Sequence, residues 1–365
     1  MSRFFLTAAA FFYLAAPLLI AQNNRKNIPY ADLPILQPKE NKKQDTQTQT
    51  LPPLKEPPSA VTAETQRLTF QTLPLTARGL LSAQVRESLR TLVHNAGSAT
   101  VVKLRAFVAG SGDVRRVQEI AAEVFGERKL GLPVLTVVQV GALPLEGAQV
   151  SIEATLESKR EVNPGGLAFI AAQSGDSVDA ALRQVTAVLG RSGLSDADVA
   201  RSTCFVSALD PNTPAPALGE AKVVVVEMQR EPVRPAATCE AVARLRAPSS
   251  EPVRIVRNDQ GAAEAALVSA PRLAISGVQL GFGKQGADIA LALDRIGQAL
   301  ASQNSSWKQV VFSHAYVMTR SVADPLSAML TERIGEPHPF TILPFEGLSS
   351  IDAVMGIDVI AVAGQ

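Results

Sequence analysis

The sequence predicts an α+β fold of short strands covered on one face by helices, built three times along the chain. Three observations carry this expectation. A helix, a polar turn and a β-rich segment recur in the same order, the helix of each copy bears a single apolar stripe, and short strands follow that such a stripe can cover. The copies run from Leu81 through Asn95-Ala96-Gly97 into residues 101–108, from Val178 through Ser192-Gly193 into 199–206, and from Ile289 through Asn304-Ser305-Ser306 into 310–317. Their strands begin 98 and 111 positions apart, well beyond the roughly 20–50-residue period of a solenoid. Each copy is therefore a small domain.

At the N-terminus Arg3 precedes an uncharged, mostly apolar run over residues 4–21. It is long for the apolar region of a signal peptide and short for a spanning helix. Ala21 suits a cleavage site, but Leu19 is larger than such a site prefers, so residues 1–21 read as a signal peptide or an N-terminal anchor. Either implies export to a periplasmic or extracellular location, with membrane contact only through this segment if it is retained. Residues 22–63 are rich in Pro, Gln, Lys and Asn and hold too little apolar surface to offset the entropy of ordering, which predicts a disordered linker.

Three domains are expected after it, at residues 64–158, 163–247 and 251–365. Val85, Leu89, Leu92 and Val93 stripe the first helix, Val178, Leu182, Val185 and Leu189 the second, and Ile289, Leu293, Ile296 and Leu300 the third. This is the i, i+4, i+7 pattern of one helical face. Strands are expected over 134–140 and 148–156, over 222–228 and 236–245, and over 339–345 and 353–363. A second helix separates the strands of copies one and three, striped by Val117, Ile120 and Val124 and by Leu326, Leu330 and Ile334. In copy two the corresponding residues 210–217 hold three prolines and read as a loop.

The chain has 365 residues, 46% of them hydrophobic and 19% charged, enough to bury several cores. A net charge of +1 supplies no general field for a phosphate backbone, so nucleic acid is not an expected partner. His94, His314 and His338 are scattered and form no metal pattern, and no cofactor motif is supported. Gly281-Phe282-Gly283-Lys284-Gln285-Gly286 fits G-x-G-x-x-G, but the next strand ends without an acid for a ribose, so it reads as a strand-to-helix loop. Cys204 and Cys239 both fall on expected strands of copy two. Free cysteines are commonly buried, so two small apolar core residues are expected; a disulfide would need neighbouring strands with facing side chains, which an exported protein permits.

In copy one, residues 101–108 and 109–125, then Val138-Gln139-Val140-Gly141-Ala142-Leu143-Pro144 and Val150-Ser151-Ile152-Glu153-Ala154, resemble the strand, helix and C-terminal signature of the RidA/YjgF, or L-PSP, family. Leu273-Ala274-Ile275-Ser276-Gly277-Val278-Gln279 in copy three is similar to that family's earlier Ser-Gly strand. The resemblance extends over three copies, roughly residues 65–365. It implies sheets with two helices per domain, of the chorismate-mutase-like α/β sandwich type, and a trimer around a central core. One chain with three copies would supply its own pseudo-trimer as a monomer.

Family enzymes hydrolyse enamines and imines derived from amino acids, in clefts between subunits, with an arginine on the substrate carboxylate and a glutamate positioning water. On the signature, the arginine position falls here at Leu135, Val223 and Thr341, and the glutamate position at Ser151, Thr238 and Gly356. The next acidic position is kept as Glu153, Glu240 and Asp358. Without a bidentate cation the carboxylate contact is forfeited, so no catalytic residue is assigned. The expectation is a non-catalytic module that binds a small molecule, or a partner, at clefts between copies, with Ser276 and Thr341 as the polar ligand-contact candidates. The alternative is an imine or enamine deaminase with a rearranged site.

Overall fold

The computed structural model describes residues 54–364 except 111–112, 211–215 and 229–235. The apolar segment 1–21 and most of the expected linker lie outside the described residues. The first domain holds β1 (Ala60–Glu64), β2 (Leu68–Thr72), α1 (Leu81–Ala96), β3 (Thr100–Ala109), α2 (Arg115–Glu127), β4 (Val134–Val140) and β5 (Val150–Glu157). The second holds β6 (Leu167–Gly175), α3 (Val178–Arg191), β7 (Val199–Val206), β8 (Ala217–Leu218), β9 (Ala221–Glu227) and β10 (Ala237–Arg244). There follow β11 (Val253–Arg257), β12 (Ala263–Val268), β13 (Arg272–Ser276), β14 (Gln279–Gly281), α4 (Gly286–Ala301), β15 (Val310–Val317), α5 (Arg320–Ile334), β16 (Phe340–Pro344), β17 (Gly347–Leu348) and β18 (Met355–Val362). Of the loop expected over 210–217, five residues are outside the description and Ala217 opens β8.

One strand order is repeated in three sheets: β4-β3-β5-β2, β9-β7-β10-β6 and β16-β15-β18-β13. In each, the central strand, β3, β7 or β15, pairs parallel with β4, β9 or β16 and antiparallel with the domain's last strand. The expected α+β sandwich is thus present three times. Along each central strand alternate residues face opposite ways, as a pleat requires. Leu104, Ala106 and Val108 pack under α1 and α2, Cys204 and Val206 under α3, and Ala315 and Val317 under α4 and α5, giving each sheet its own core.

The opposite faces turn toward one another. Val102, Phe169 and Phe312 belong to one apolar cluster drawn from all three sheets, and Phe107, Phe205, Tyr316 and Phe345 to another. In the second, ring centroids lie 5.4–5.9 Å apart, and each buried ring contributes about 1.5–3 kcal/mol by removal from water. The described residues, from Leu54 onward, form one compact unit.

Strands cross the expected domain boundaries in three places. β1, within the expected linker 22–63, pairs with β13 of the third sheet, so the linker ends before Ala60. A five-residue segment with only Ala60 and Ala63 buried shows little periodicity until the exposed edge it completes is known. β11 and β12, assigned to domain three, extend the second sheet through β6. Gly166 admits this approach: its φ is +103°, and a Cβ there would stand 2.1 Å from the Val268 carbonyl oxygen. β17 of domain three pairs with β4 of the first sheet.

The cysteines correct another expectation. Cys204 and Cys239 face each other across β7 and β10 and form a disulfide buried beneath α3. Their identity as small apolar residues could not reveal that the two strands are neighbours.

Candidate functional site

Two arrangements sit where the sheets meet: a polar centre and a cleft between the first and third sheets. The polar centre follows from register. Arg105, Thr203 and His314 hold the same place on the three central strands, and their antiparallel partners are Glu153, Glu240 and Asp358. All six side chains are buried.

Arg105 donates through Nε to Glu153 at 2.7 Å, through Nη1 to Glu240 at 2.7 Å and through Nη2 to Thr203 at 2.9 Å. Thr203 donates in turn to Glu153. His314 Nε2 is 2.8 Å from the second Glu240 oxygen, and its Nδ1 is 3.4 Å from Asp358. Asp358 also meets Lys103 Nζ at 2.8 Å and accepts from Thr136 and Tyr316. Arg105 Nη1 also lies 3.2 Å from His314 Nε2, so one guanidinium touches groups from all three sheets, for which a planar five-donor fork is suited.

Burial by itself would raise the Glu240 carboxyl, but His314 and Arg105 outweigh it and hold the group below the usual carboxylate range. Asp358 is likewise raised by burial and, more strongly, lowered by Lys103 and His314. Burial works against the Arg105 charge, and Glu153 and Glu240 overcome it, so its pKa is raised. These are committed ion pairs, a poor arrangement for proton transfer. The acids retained by the signature are held in these pairs, and each stands as a charged residue within a mostly buried strand.

The cleft has a volume of about 340 Å³, within the roughly 300–1,000 Å³ range of small-molecule sites. Leu135 and Val137 of β4 form one wall, and Gly277 and Val278 after β13 the other, joined where the Val278 amide donates to the Leu135 carbonyl at 3.0 Å. Gln118 of α2, Gln279 of β14 and Arg295 of α4 add polar groups, and residues 56–59 close a side. Arg295 spends one donor on the Leu280 carbonyl at 3.3 Å. Arg295 and Gln118 escape a motif-based alignment because both come from helices outside the signature.

The two expected ligand contacts do not line this cleft. Ser276 is fully buried and accepts from the Val359 amide at 2.9 Å, holding β13 to β18. Thr341 accepts from the Ala172 amide at 3.1 Å, tying the third sheet to the second. Register also corrects the alignment. Leu135 lies beside Leu104 and Val223 beside Ser202, and the residue beside Ser313 is Phe340; Thr341 lies beside His314. A one-residue slip places a strand residue on the other face, so Phe340 is the counterpart of Leu135. Arg272 stands at the exposed start of β13.

The family model described as endoribonuclease L-PSP matches residues 78–157, the first domain from α1 to β5. The chain carries a domain of the L-PSP, or RidA/YjgF, family. Solved structures similar to this chain include a YjgF/YER057c/UK114 family member from Mycobacterium tuberculosis, 20% identical over 30% of this chain and 99% of that one, with a TM-score of 0.24. A YjgF family protein from Neisseria meningitidis is 16% identical over 31% and 96%, with a TM-score of 0.24. RidA from an Antarctic Psychrobacter is 18% identical over 25% and 80%, with a TM-score of 0.23. No curated protein matches the sequence.

Other sequence motifs resolve locally. In the third sheet the G-x-G-x-x-G segment is a loop into α4: Asp288 accepts from the Gln285 amide at 3.2 Å, and a Cβ on Gly283 would meet its carboxylate at 2.0 Å. That carboxylate occupies the place where a phosphate would approach the helix N-terminus. Among the described residues no group of three or more His, Cys, Asp or Glu side chains is placed to hold a metal ion, and no helix is long and apolar enough to cross a membrane.

His338 precedes β16 with Nε2 2.9 Å from Ser313 Oγ. Burial lowers its pKa from 6.5 to about 4, partly opposed by a bond to the Glu336 backbone. Because the unfolded chain takes up this proton first, the stabilisation is complete above pH 6.5 and declines as pH falls toward 4, by on the order of 3 kcal/mol in all. Unfolding free energies between pH 7 and pH 5 should fall less steeply in His338→Asn; equal slopes would exclude His338 as the source.

Proposed function

We propose that this is an exported RidA-like protein that binds a small carboxylate in the cleft between its first and third sheets, without hydrolysing it. The observation that carries the reading is the cleft itself: an apolar wall at Leu135 and Val137 with one guanidinium, Arg295, and one carboxylate, Glu56, in its lining. Leu135 stands where the resemblance expects the carboxylate-binding arginine, and a charge-assisted bidentate contact is the natural anchor for such a ligand. Arg295 offers that contact from a different element. The acids that survive from the signature are held in the polar centre by Arg105, His314 and Lys103, which supports binding over catalysis.

A pseudo-trimer within one chain is part of the same reading. It is supported by the repeated strand order and by the threefold placement of Arg105, Thr203 and His314. The sedimentation coefficient should be that of a monomer, and a trimer of three-domain chains would count against it. Export is supported by the apolar residues 4–21 and by the disulfide, which persists in oxidising compartments.

The test uses the purified chain with pyruvate and 2-oxobutanoate as binding probes, and with imines of the corresponding amino acids as substrates. Calorimetry is expected to show binding that Arg295→Gln removes, with imine hydrolysis at the buffer rate. Turnover abolished by Arg295→Gln would establish the deaminase alternative, and absence of binding to any probe would overturn the ligand reading.

A further inference from the structure

The cleft between the first and third sheets carries both signs of charge, Arg295 from α4 and Glu56 from the segment that precedes β1. The sequence places Glu56 within the expected linker 22–63, outside any site; β1 brings it to the cleft. That strand pairs with β13, Ala60 opposite Ser276, and the Gly277 amide carries the pairing one step upstream by donating to the Ser59 carbonyl at 2.9 Å. Pro57 and Pro58 then hold themselves, and Glu56 before them, to extended backbone. Gly277 permits the close approach of the two walls: a Cβ there would lie 3.2 Å from the Leu135 carbonyl oxygen.

Neither charge is spent within the protein. Among the described residues Arg295 makes one hydrogen bond, to the Leu280 carbonyl at 3.3 Å, and no ion pair. Glu56 is exposed and makes neither, so the two line one cleft without pairing with each other. A ligand that is only a carboxylate satisfies Arg295 and is repelled by Glu56; a ligand that is only an ammonium meets the reverse. A zwitterion engages both. Leu135, Val137 and Val278 leave an apolar wall beside them, and the volume of about 340 Å³ leaves room for an aliphatic side chain.

We propose that Glu56 is the specificity-determining residue of this cleft and that it selects a free α-amino acid with an aliphatic side chain. Arg295 takes the carboxylate, Glu56 the ammonium, and the apolar wall the side chain. The proposal rests on the reading of the cleft as a carboxylate site and adds the group that discriminates among carboxylates. The contact at Arg295 is common to any small carboxylate. Glu56 alone separates an amino acid from its 2-oxo counterpart, which lacks the positive charge. The segment before β1 is then part of the binding site rather than a spacer.

L-2-Aminobutyrate and 2-oxobutanoate share one carbon skeleton and are the probes, titrated calorimetrically into the full chain at neutral pH. Glu56 is exposed, so the preference is that of a solvent-accessible ion pair, and the amino acid is expected to bind about fivefold more tightly than the oxo acid. Glu56→Gln should remove this difference while 2-oxobutanoate binds as well as before or better, and Arg295→Gln should remove binding of both. Equal affinities in the unaltered chain, or a preference that persists in Glu56→Gln, would overturn the role of Glu56 and leave the carboxylate site standing. Binding of neither probe would overturn both.

Discussion

Arg105→Met is expected to cost about 3–5 kcal/mol of stability, the range seen when one partner of a buried ion pair is removed. The charge is not the main loss. Glu153 and Glu240 are each within 2.7 Å of this guanidinium and buried, so they would be left as carboxylates in a site that burial already disfavours for them. Thr203 would lose a donor as well. Since Arg105 joins groups of all three sheets, the variant should show a lower urea midpoint and earlier separation of the domains.

The decisive comparison is Arg105→Met with Glu153→Gln and Glu240→Gln together. Removing the stranded charges should recover most of the loss, because a fully neutral centre of similar volume is often as stable as the ion network. A single variant that loses less than about 1 kcal/mol would show that the network adds little to stability. A triple variant no better than the single one would place the cost in packing against Phe107 and Phe205, whose rings lie 5.1 and 5.8 Å from the Arg105 guanidinium carbon.

Reduction of Cys204–Cys239 is expected to cost about 4 kcal/mol, the chain-entropy value for a closed loop of this length. The separation is 35 residues, and the loop contains β8 and β9, so the unfolded chain gains freedom over a whole sheet edge. Reduction is preferred to substitution because it leaves both sulfur atoms in the core beneath α3 and creates no cavity. Urea unfolding with and without reductant measures the effect. Protein purified from an oxidising compartment should show no titratable thiol in denaturant until reduced; two free thiols would remove the bond and with it one support for export.

Much of the fold was legible in the sequence. The apolar stripes of α1, α3 and α4 and the alternation of their central strands are local periodicities, and they recur with nearly the same spacing in all three copies. The site was legible only in outline. The signature pointed to Glu153, Glu240 and Asp358 as equivalent acids, and register confirms the equivalence. It did not reveal their partners, since Arg105, Thr203 and His314 differ in type at one position. Ser276 and Thr341 are the polar matches to the resemblance, but hydroxyls on strand faces bond neighbouring backbone as readily as ligands. The slip between Thr341 and Phe340 arose because copy three aligns without a distinctive residue in β16.

What the sequence determined by itself was the α+β class and the recurring order of helix and strands, because hydrophobic period and turn chemistry act over a few residues at a time. Tertiary structure decided which sheet each edge strand joins, that the two cysteines meet, and that three inward faces enclose a charged centre, with Arg295 lining a cleft between the first and third sheets. Those outcomes depend on contacts between residues as far apart as Arg105 and His314, and no local pattern carries that information.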